Sequence, residues 1–208
     1  MRFLLLIGMF VCWAASNASA EGFYVVVEDD RGNPVSGAVV TYVPKDMTLA
    51  SPGEDDSIII SQKNLEFQPF TTLAPVGSTI SFRNDDTVLH HVFSFSKAMR
   101  FDLKLFGQNE PQSVTFEHPG IVTVGCNIHD GMIAHIFLSD APFAIQTDED
   151  GIALIEGAPA SSGQLMVWHP LMRKRDNRLY QTVSISGDMD QVTVSSKFRK
   201  GIKRSSDY

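Results

Sequence analysis

The sequence predicts an all-β fold that contains two small β-sandwiches. From Glu21 onwards the apolar residues show almost no helical periodicity, and short runs rich in Val, Ile, Thr and Phe alternate with Gly, Pro, Asn and Asp. This alternation is typical of a β-sandwich, and the number of runs exceeds what one small sandwich needs. The predicted strands are residues 23–28, 37–43, 57–61, 78–84, 90–95, 112–117, 120–126, 133–138, 151–155, 164–168, 181–186 and 190–195.

The N-terminal segment predicts an export signal. The chain opens with Met1 and Arg2, continues with an apolar run over 3–15, and reaches the small residues that a signal peptidase accepts at 18–20. The apolar run is shorter than the roughly 20 residues that a membrane-spanning helix needs. We therefore predict a cleaved signal peptide over 1–20 and a periplasmic mature chain without a transmembrane segment.

Removal of this signal takes away Cys12 and leaves Cys126 as the single thiol of the mature chain. An exported protein normally pairs its cysteines, so a lone one is buried and inert, free to cross-link, or bound to a metal. His129 and Met132 follow at intervals of three residues, and His90 begins a predicted strand after a polar turn. A thiolate, a thioether and two imidazoles form the ligand set that is typical of blue copper.

The region from about 57 to 139 resembles the cupredoxins, the family of plastocyanin, azurin and amicyanin. The spacing C-x-x-H-x-x-M over 126–132 is similar to the short ligand loop of amicyanin-like members, and Phe82 and Asn84, followed by His90, repeat plastocyanin's F-x-N … H pattern. The resemblance implies a Greek-key β-sandwich, or barrel, that holds one type 1 copper ion.

The resemblance also implies the role of each ligand. His90, Cys126 and His129 would be the strong equatorial ligands, and Met132 the long axial one. By the same analogy an edge of His129 would reach an apolar surface patch and provide the exit for an electron. The candidates for that patch are Phe93, Phe95, Phe106, Pro111 and Ile133.

His91 departs from the family pattern, which commonly has Asn after the first ligand. An imidazole at 91 could bond toward Asn127 and so fix the orientation of the ligands from an outer shell, to which Asn84 is also assigned. If it does not, either His90 or His91 could be the ligand, and we favour His90.

The two ends of the chain resemble a different sandwich. Residues 25–43 are similar to the first half of the carboxypeptidase regulatory domain, and residues 147–169 to its second half. We therefore predict a copper domain over 53–140, inserted into a loop of a second, discontinuous sandwich made from 22–50 and 142–198. Two ordinary tandem domains are the alternative.

The stretches HHVFSFS, GCNIHD and WHP resemble plastocyanin-like proteins that are often labelled methylamine utilization proteins. This resemblance spans nearly the whole mature chain, but the label records a genetic association and implies little about mechanism. Within the last stretch, Trp168 is expected to pack between the two sandwiches. His118 and His169 are expected to be structural or on the surface, and His135 to point to solvent.

The charge balance excludes some partners. With 17 Lys and Arg against 24 Asp and Glu, the formal net charge is −7, which disfavours nucleic acid as a partner. Basic residues nevertheless cluster at 173–178 and again from Lys197 to the end, where 199–208 is predicted to be a flexible tail. These clusters are either solvated segments or a weak docking patch for an acidic partner or a membrane.

The function predicted from these observations is that of a single-electron carrier between redox proteins whose identity the sequence does not give. We find no Ser-His-Asp order, phosphate loop or paired carboxylates, and four filled ligand positions would leave none for a substrate, so we do not expect an enzyme. The alternatives are a copper delivery or sensing module, and a structural or adhesive sandwich that a metal merely stabilises.

Overall fold

The computed structural model describes residues 22–49, 53, 55–186 and 188–199. The predicted signal peptide, and the predicted tail beyond Arg199, lie outside these residues. In the part of the chain that is described, no helix has the length and apolar character needed to cross a membrane.

The prediction of an all-β fold is confirmed, because the described elements are β-strands apart from one turn of 3₁₀ helix at Arg175–Asn177. The strands are β1 (Gly22–Asp29), β2 (Val39–Pro44), β3 (Ile59–Lys63), β4 (Glu66–Gln68), β5 (Thr71–Pro75), β6 (Thr79–Asn84), β7 (His90–Phe95), β8 (Arg100–Phe106), β9 (Gln112–Thr115), β10 (Gly120–Gly125), β11 (Ile133–Ser139), β12 (Phe143–Gln146), β13 (Ile152–Glu156), β14 (Ser161–Trp168), β15 (Arg178–Ile185) and β16 (Asp188–Ser196). Each of the twelve predicted strands overlaps one of these, and β4, β5, β8 and β12 were not predicted.

One pair of sheets is built from the two ends of the described chain. A three-stranded sheet has the order β13-β1-β16, and a four-stranded sheet has the order β12-β2-β14-β15. The buried apolar residues between them all lie outside 53–140. Their spacing follows the period of two that a strand requires, as at Phe23, Val25 and Val27 in β1.

The second pair of sheets comes entirely from residues 59–139. Its five-stranded sheet has the order β5-β11-β10-β7-β8, and its four-stranded sheet has the order β4-β3-β6-β9. The buried apolar cluster between these sheets draws all its members from residues 60–138. Strand β7 begins at His90, and β10 and β11 form an antiparallel hairpin, so this sandwich carries the predicted ligands.

A third apolar cluster joins the two sandwiches. Val39, Phe137, Met166 and Trp168 are buried together, and the rings of Phe137 and Trp168 lie 5.3 Å apart. Trp168 therefore packs between the sandwiches as expected. In β14 the alternate residues Leu165 and Val167 face the core of their own sandwich, so both faces of the strand are buried.

The prediction that His135 points to solvent is wrong. Its side chain is half-buried, its Nδ1 lies 3.0 Å from the Thr123 hydroxyl, and its ring stands edge-on to Trp168 at 6.2 Å. Burial lowers the pKa of His135 to about 4. Burial, together with the nearby His135, also lowers the pKa of His169 to about 4. The joint between the sandwiches thus holds two neutral histidines.

These histidines predict an acid-sensitive stability. The unfolded chain binds more protons than the folded one between about pH 4 and 6.5, so the free energy of unfolding should rise with pH across this window. Replacing both His135 and His169 with Gln should reduce that rise by about 2 kcal/mol or more, measured by urea unfolding at several pH values. The exposed His118→Gln serves as the control, and an unchanged slope in the double variant would contradict the prediction.

The division of the two cores supports our proposal that residues 53–140 are an insertion. Tyr42 of β2 pairs with Phe143 of β12, so the strands on either side of the deletion of 53–140 are antiparallel neighbours that can be joined as a hairpin. The shortened chain should fold, because it keeps every buried residue of its own core. Circular dichroism and thermal unfolding should show a cooperative β-protein, and a product without a cooperative transition would refute the insertion.

Candidate metal centre

The loop that carries three of the predicted ligands is the turn of a β-hairpin. Gly125 of β10 pairs with Ile133 of β11, so residues 126–132 connect the two strands. The Cys126 amide donates a hydrogen bond to the Met132 carbonyl at 3.1 Å and closes the base of the loop. Gly131 has a φ of +78°, a conformation that side chains other than glycine rarely adopt. The loop can therefore fold back tightly on itself.

His90 meets two residues of this loop, Cys126 and His129. The Cys126 Sγ lies 3.6 Å from the His129 Nδ1, and that nitrogen lies 3.2 Å from the His90 Nδ1. The candidate ligand atoms of all three residues lie within 4.8 Å of one another. His90 is fully buried, whereas His129 and Cys126 are half-buried. Strand β7 thus brings the first histidine to a hairpin that is more than 30 residues away in sequence.

Asp86 fixes the ring of His90 and was missed by the sequence analysis. Its carboxylate lies 2.8 Å from the His90 Nε2. Because an ionised carboxylate only accepts, Nε2 donates this hydrogen bond, and Nδ1 is the ring nitrogen that faces Cys126 and His129. The Asp86 carboxylate also accepts hydrogen bonds from the backbone amides of Asn64 and Leu65.

The same contacts set the charge of this carboxyl group. Burial, the largest single influence, disfavours ionisation of Asp86, but the hydrogen bonds from Leu65, His90 and Asn64 together hold the pKa of Asp86 below its ordinary value. An ionised Asp86 is the form that accepts the hydrogen bond from the His90 Nε2–H. The anchoring of His90 therefore persists at neutral pH.

Asn84 shapes the loop that carries Asp86. Its side-chain amide donates to the carbonyls of Val88 and Phe106 at 2.8 and 3.1 Å, and its Oδ1 accepts from the Asp86 amide at 2.9 Å. Asn84 is buried and acts on His90 through Asp86. This is how the structure places a residue that was assigned to the outer shell by resemblance.

His91 points away from the cluster, which differs from the bond expected toward Asn127. Its Nε2 lies 2.6 Å from the Asp102 Oδ1, and its ring stacks on Phe93 at 5.3 Å. Successive residues of a strand face opposite sides of a sheet, so His90 and His91 cannot both reach the loop. The side chain that reaches Cys126 and His129 is that of His90, while Asn127 is exposed.

Met132 is buried and belongs to the apolar cluster of this sandwich. Its backbone closes the hairpin loop onto Cys126 and contacts the His129 carbonyl, which its amide approaches at 3.5 Å. Residue 132 is thus held beside the three converging ligands. Its assignment as the axial ligand remains a proposal.

The donor set fits copper. Two imidazole nitrogens and a thiol sulfur face one another at short range, and the ring that carries one of the nitrogens is held in place by Asp86. A soft or borderline cation is the partner that this combination prefers. The fixed outer carboxylate is a common support of metal-bound histidines.

Exposed apolar side chains occur in the segments around this centre. Val88 and Leu89 precede His90, Ile128 precedes His129, and all three are exposed. Of the candidates proposed for an apolar patch, Phe95 and Ile133 are exposed and Pro111 also reaches the surface, whereas Phe106 is buried and Phe93 is half-buried. A groove lined by Phe93, Phe95, Thr123, Met132 and Ile133 lies on the same sandwich.

No family model matches the sequence, and no curated protein matches it. Among solved structures, the chain is similar to a copper-containing nitrite reductase from Thermus scotoductus SA-01, with 24% identity and a TM-score of 0.37 over 39% of this chain and 22% of the other. It is also similar to a reduced Cu(I) form of an amicyanin variant, with 17% identity and a TM-score of 0.39 over 48% of this chain and 98% of the other. For a purple cupredoxin from Nitrosopumilus maritimus the identity is 23% and the TM-score 0.35, over 41% of this chain and all of the other. This chain thus spans about a fifth of the nitrite reductase.

The contact between Asp86 and His90 predicts a specific effect on metal binding. Asp86→Asn removes the anionic acceptor that selects the tautomer of His90, so copper affinity should fall about tenfold or more, measured by competition with a chromogenic chelator. Asp85→Asn is the matched control, because Asp85 bonds Arg83 and Ser61 instead of a histidine. Equal affinities in the two variants would show that Asp86 does not support the site.

Proposed function

We propose that the protein is a type 1 (blue) copper protein of the cupredoxin kind, and that it carries single electrons between redox partners. The observation that carries this proposal is the convergence of His90, Cys126 and His129 within 4.8 Å. Met132 completes the proposed ligand set at the end of the same loop. Bound copper would supply the one-electron exchange between Cu(I) and Cu(II).

The chain's own contribution is a stiff frame. His90 is held at one end by the ladder of β7 and at the other by Asp86, while Cys126 and His129 are held by the β10–β11 hairpin. Strands β7 and β10 are neighbours in one sheet, where Phe93 pairs with Gly125. A frame of this kind keeps the donors in one arrangement, which favours electron transfer because little has to move.

A carrier role fits this site better than catalysis. His90 is fully buried, and its second nitrogen is already occupied by Asp86. Four donors would fill the coordination positions, whereas catalytic metal sites keep one open. His129 is the half-buried histidine and follows the exposed Ile128. We therefore propose that the electron leaves through the edge of His129.

The proposed setting is the periplasm. The support for it is the pattern of residues 1–20 and the single thiol that remains when this segment is removed. A sole cysteine that is bound to copper would also be protected from cross-linking in an oxidising compartment. Expression in a bacterial host, followed by fractionation and N-terminal sequencing, would test both export and cleavage before Glu21.

The copper-loaded protein should be intensely blue, and it should be reduced and reoxidised reversibly by one electron in cyclic voltammetry. Cys126→Ser should abolish the blue colour without unfolding the sandwich, because thiolate-to-copper charge transfer is its source. Persistent blue colour in Cys126→Ser would refute the ligand assignment. A colourless wild-type protein that readily gives up copper to a chelator would instead favour a delivery or sensing module.

Met132→Leu should keep the copper and raise the reduction potential, because loss of a weak donor disfavours Cu(II). Voltammetry of Met132→Leu is compared with that of Met172→Leu, since Met172 is also buried but lies in the core of the other sandwich. The potential of Met172→Leu should equal that of the wild type. If Met132→Leu also leaves the potential unchanged, Met132 is not an axial ligand.

A further inference from the structure

Two basic segments that are distant in sequence lie side by side in the second sandwich. The Arg173 amide donates to the Lys197 carbonyl at 2.7 Å, and the Arg199 amide donates to the Leu171 carbonyl at 2.8 Å. Between these bonds, Met172 and Phe198 form an isolated antiparallel bridge. In the sequence these segments form two separate basic clusters.

The pairing gathers positive charge into one surface, which we call the basic patch: Arg173, Lys174, Arg175, Lys197 and Arg199. All five side chains belong to exposed residues. Among the described residues, the patch contains a single ion pair, between Arg175 and Asp176 at 3.8 Å. Both partners are highly exposed, and such a pair neutralises little.

The acidic residue at the edge of the patch is engaged elsewhere. Asp29 lies at the end of β1, opposite Ser196. Its carboxylate accepts hydrogen bonds from the side chain and the backbone of Asn33 and from the Arg31 amide. Among the described residues Asp29 therefore forms no ion pair with the patch, which gathers five basic residues in a chain whose net charge is −7.

The path of β14 places the patch toward the metal end of the molecule. Met166 lines a cleft together with Leu138 and Ser139, near the end of β11. Two residues later, Trp168 lies against His135, near the start of β11. β14 thus advances along β11 toward Ile133, where the metal loop enters the strand. The Arg173–Arg175 part of the basic patch lies in the connection between β14 and β15.

We propose that the basic patch docks an acidic protein. This proposal rests on the proposed function: the acidic protein is the redox partner, and the patch binds the partner's carboxylates near the metal end. Arg side chains recognise carboxylates through paired hydrogen bonds, and attraction of this kind speeds and orients encounter. The large apolar side chains that are exposed in the described chain all lie outside 171–176 and 197–199. Within 171–176 and 197–199 the patch therefore offers no exposed large apolar side chain as an anchor for a lipid bilayer.

Binding to poly-L-glutamate tests this surface without requiring copper. Fluorescence anisotropy at low salt should show that Arg173→Glu/Lys174→Glu/Arg175→Glu binds about tenfold more weakly than the wild type. The matched control, Lys45→Glu/Lys97→Glu/Arg100→Glu, carries the same net charge on exposed residues outside the patch and should weaken binding about twofold or less. Binding by the wild type should also decline strongly once the Debye length falls to about 8 Å, at physiological salt.

Equal weakening in the two charge-reversed variants would overturn the proposal, because it would show that only net charge matters. Patch-dependent binding to phosphatidylglycerol vesicles, but not to poly-L-glutamate, would also overturn it and assign the patch to a membrane. If the triple variant fails to fold by circular dichroism, Lys197→Gln/Arg199→Gln replaces it in the same comparison. Voltammetry of the same copper-loaded preparation separates the two proposals. If the protein holds no redox-active copper but still binds poly-L-glutamate through the patch, the carrier role is disproved and the docking surface is not.

Discussion

The approach of three electron-rich atoms, the Nδ1 atoms of His90 and His129 and the Sγ of Cys126, is the constraint on which the rest of this structure depends. Lone pairs at such short range repel unless a cation or a proton lies between them. The chain holds them there with ordinary sheet geometry, since β7 and β10 are hydrogen-bonded neighbours and β11 follows β10 through a seven-residue turn. The free energy that keeps the donors together therefore comes from the apolar core below them, and copper would complete an arrangement that the sandwich already imposes.

Two networks transmit that rigidity outward. Above the site, Asn84 holds the backbone that presents Asp86, and Asp86 links the His90 ring to the turn between β3 and β4 through the amides of Asn64 and Leu65. Below it, β11 serves three regions at once: it begins at the metal loop, its inward residues fill the core, and Phe137 on its outer face contacts Trp168 of the second sandwich. A change in how the sandwiches pack would thus act on the strand that carries the metal loop.

Much of the site could be predicted because its information is local. The spacing of Cys126, His129 and Met132 lies within one loop, and strands with alternating burial reveal themselves by their periodicity. Strand β8 was not predicted because it is an edge strand with charged, exposed positions, and β4 was not predicted because three residues are too few to show a periodic pattern. Asp86 escaped because a carboxylate in a polar turn looks like any turn residue until β7 folds back beside it. His135 was misplaced for a related reason: a sheet face that alternation assigns to solvent is covered by Trp168, some 30 residues further along the chain.

Copper K-edge X-ray absorption of the purified, copper-loaded protein tests the central claim most directly, because it reports the atoms bound to the metal without relying on colour or activity. The account predicts a first shell of one sulfur at short distance and two imidazole nitrogens, with the sulfur and one imidazole lost in Cys126→Ser and His90→Gln respectively. A first shell of nitrogen and oxygen alone, unchanged by either substitution, would show that copper binds elsewhere and would contradict the proposed centre.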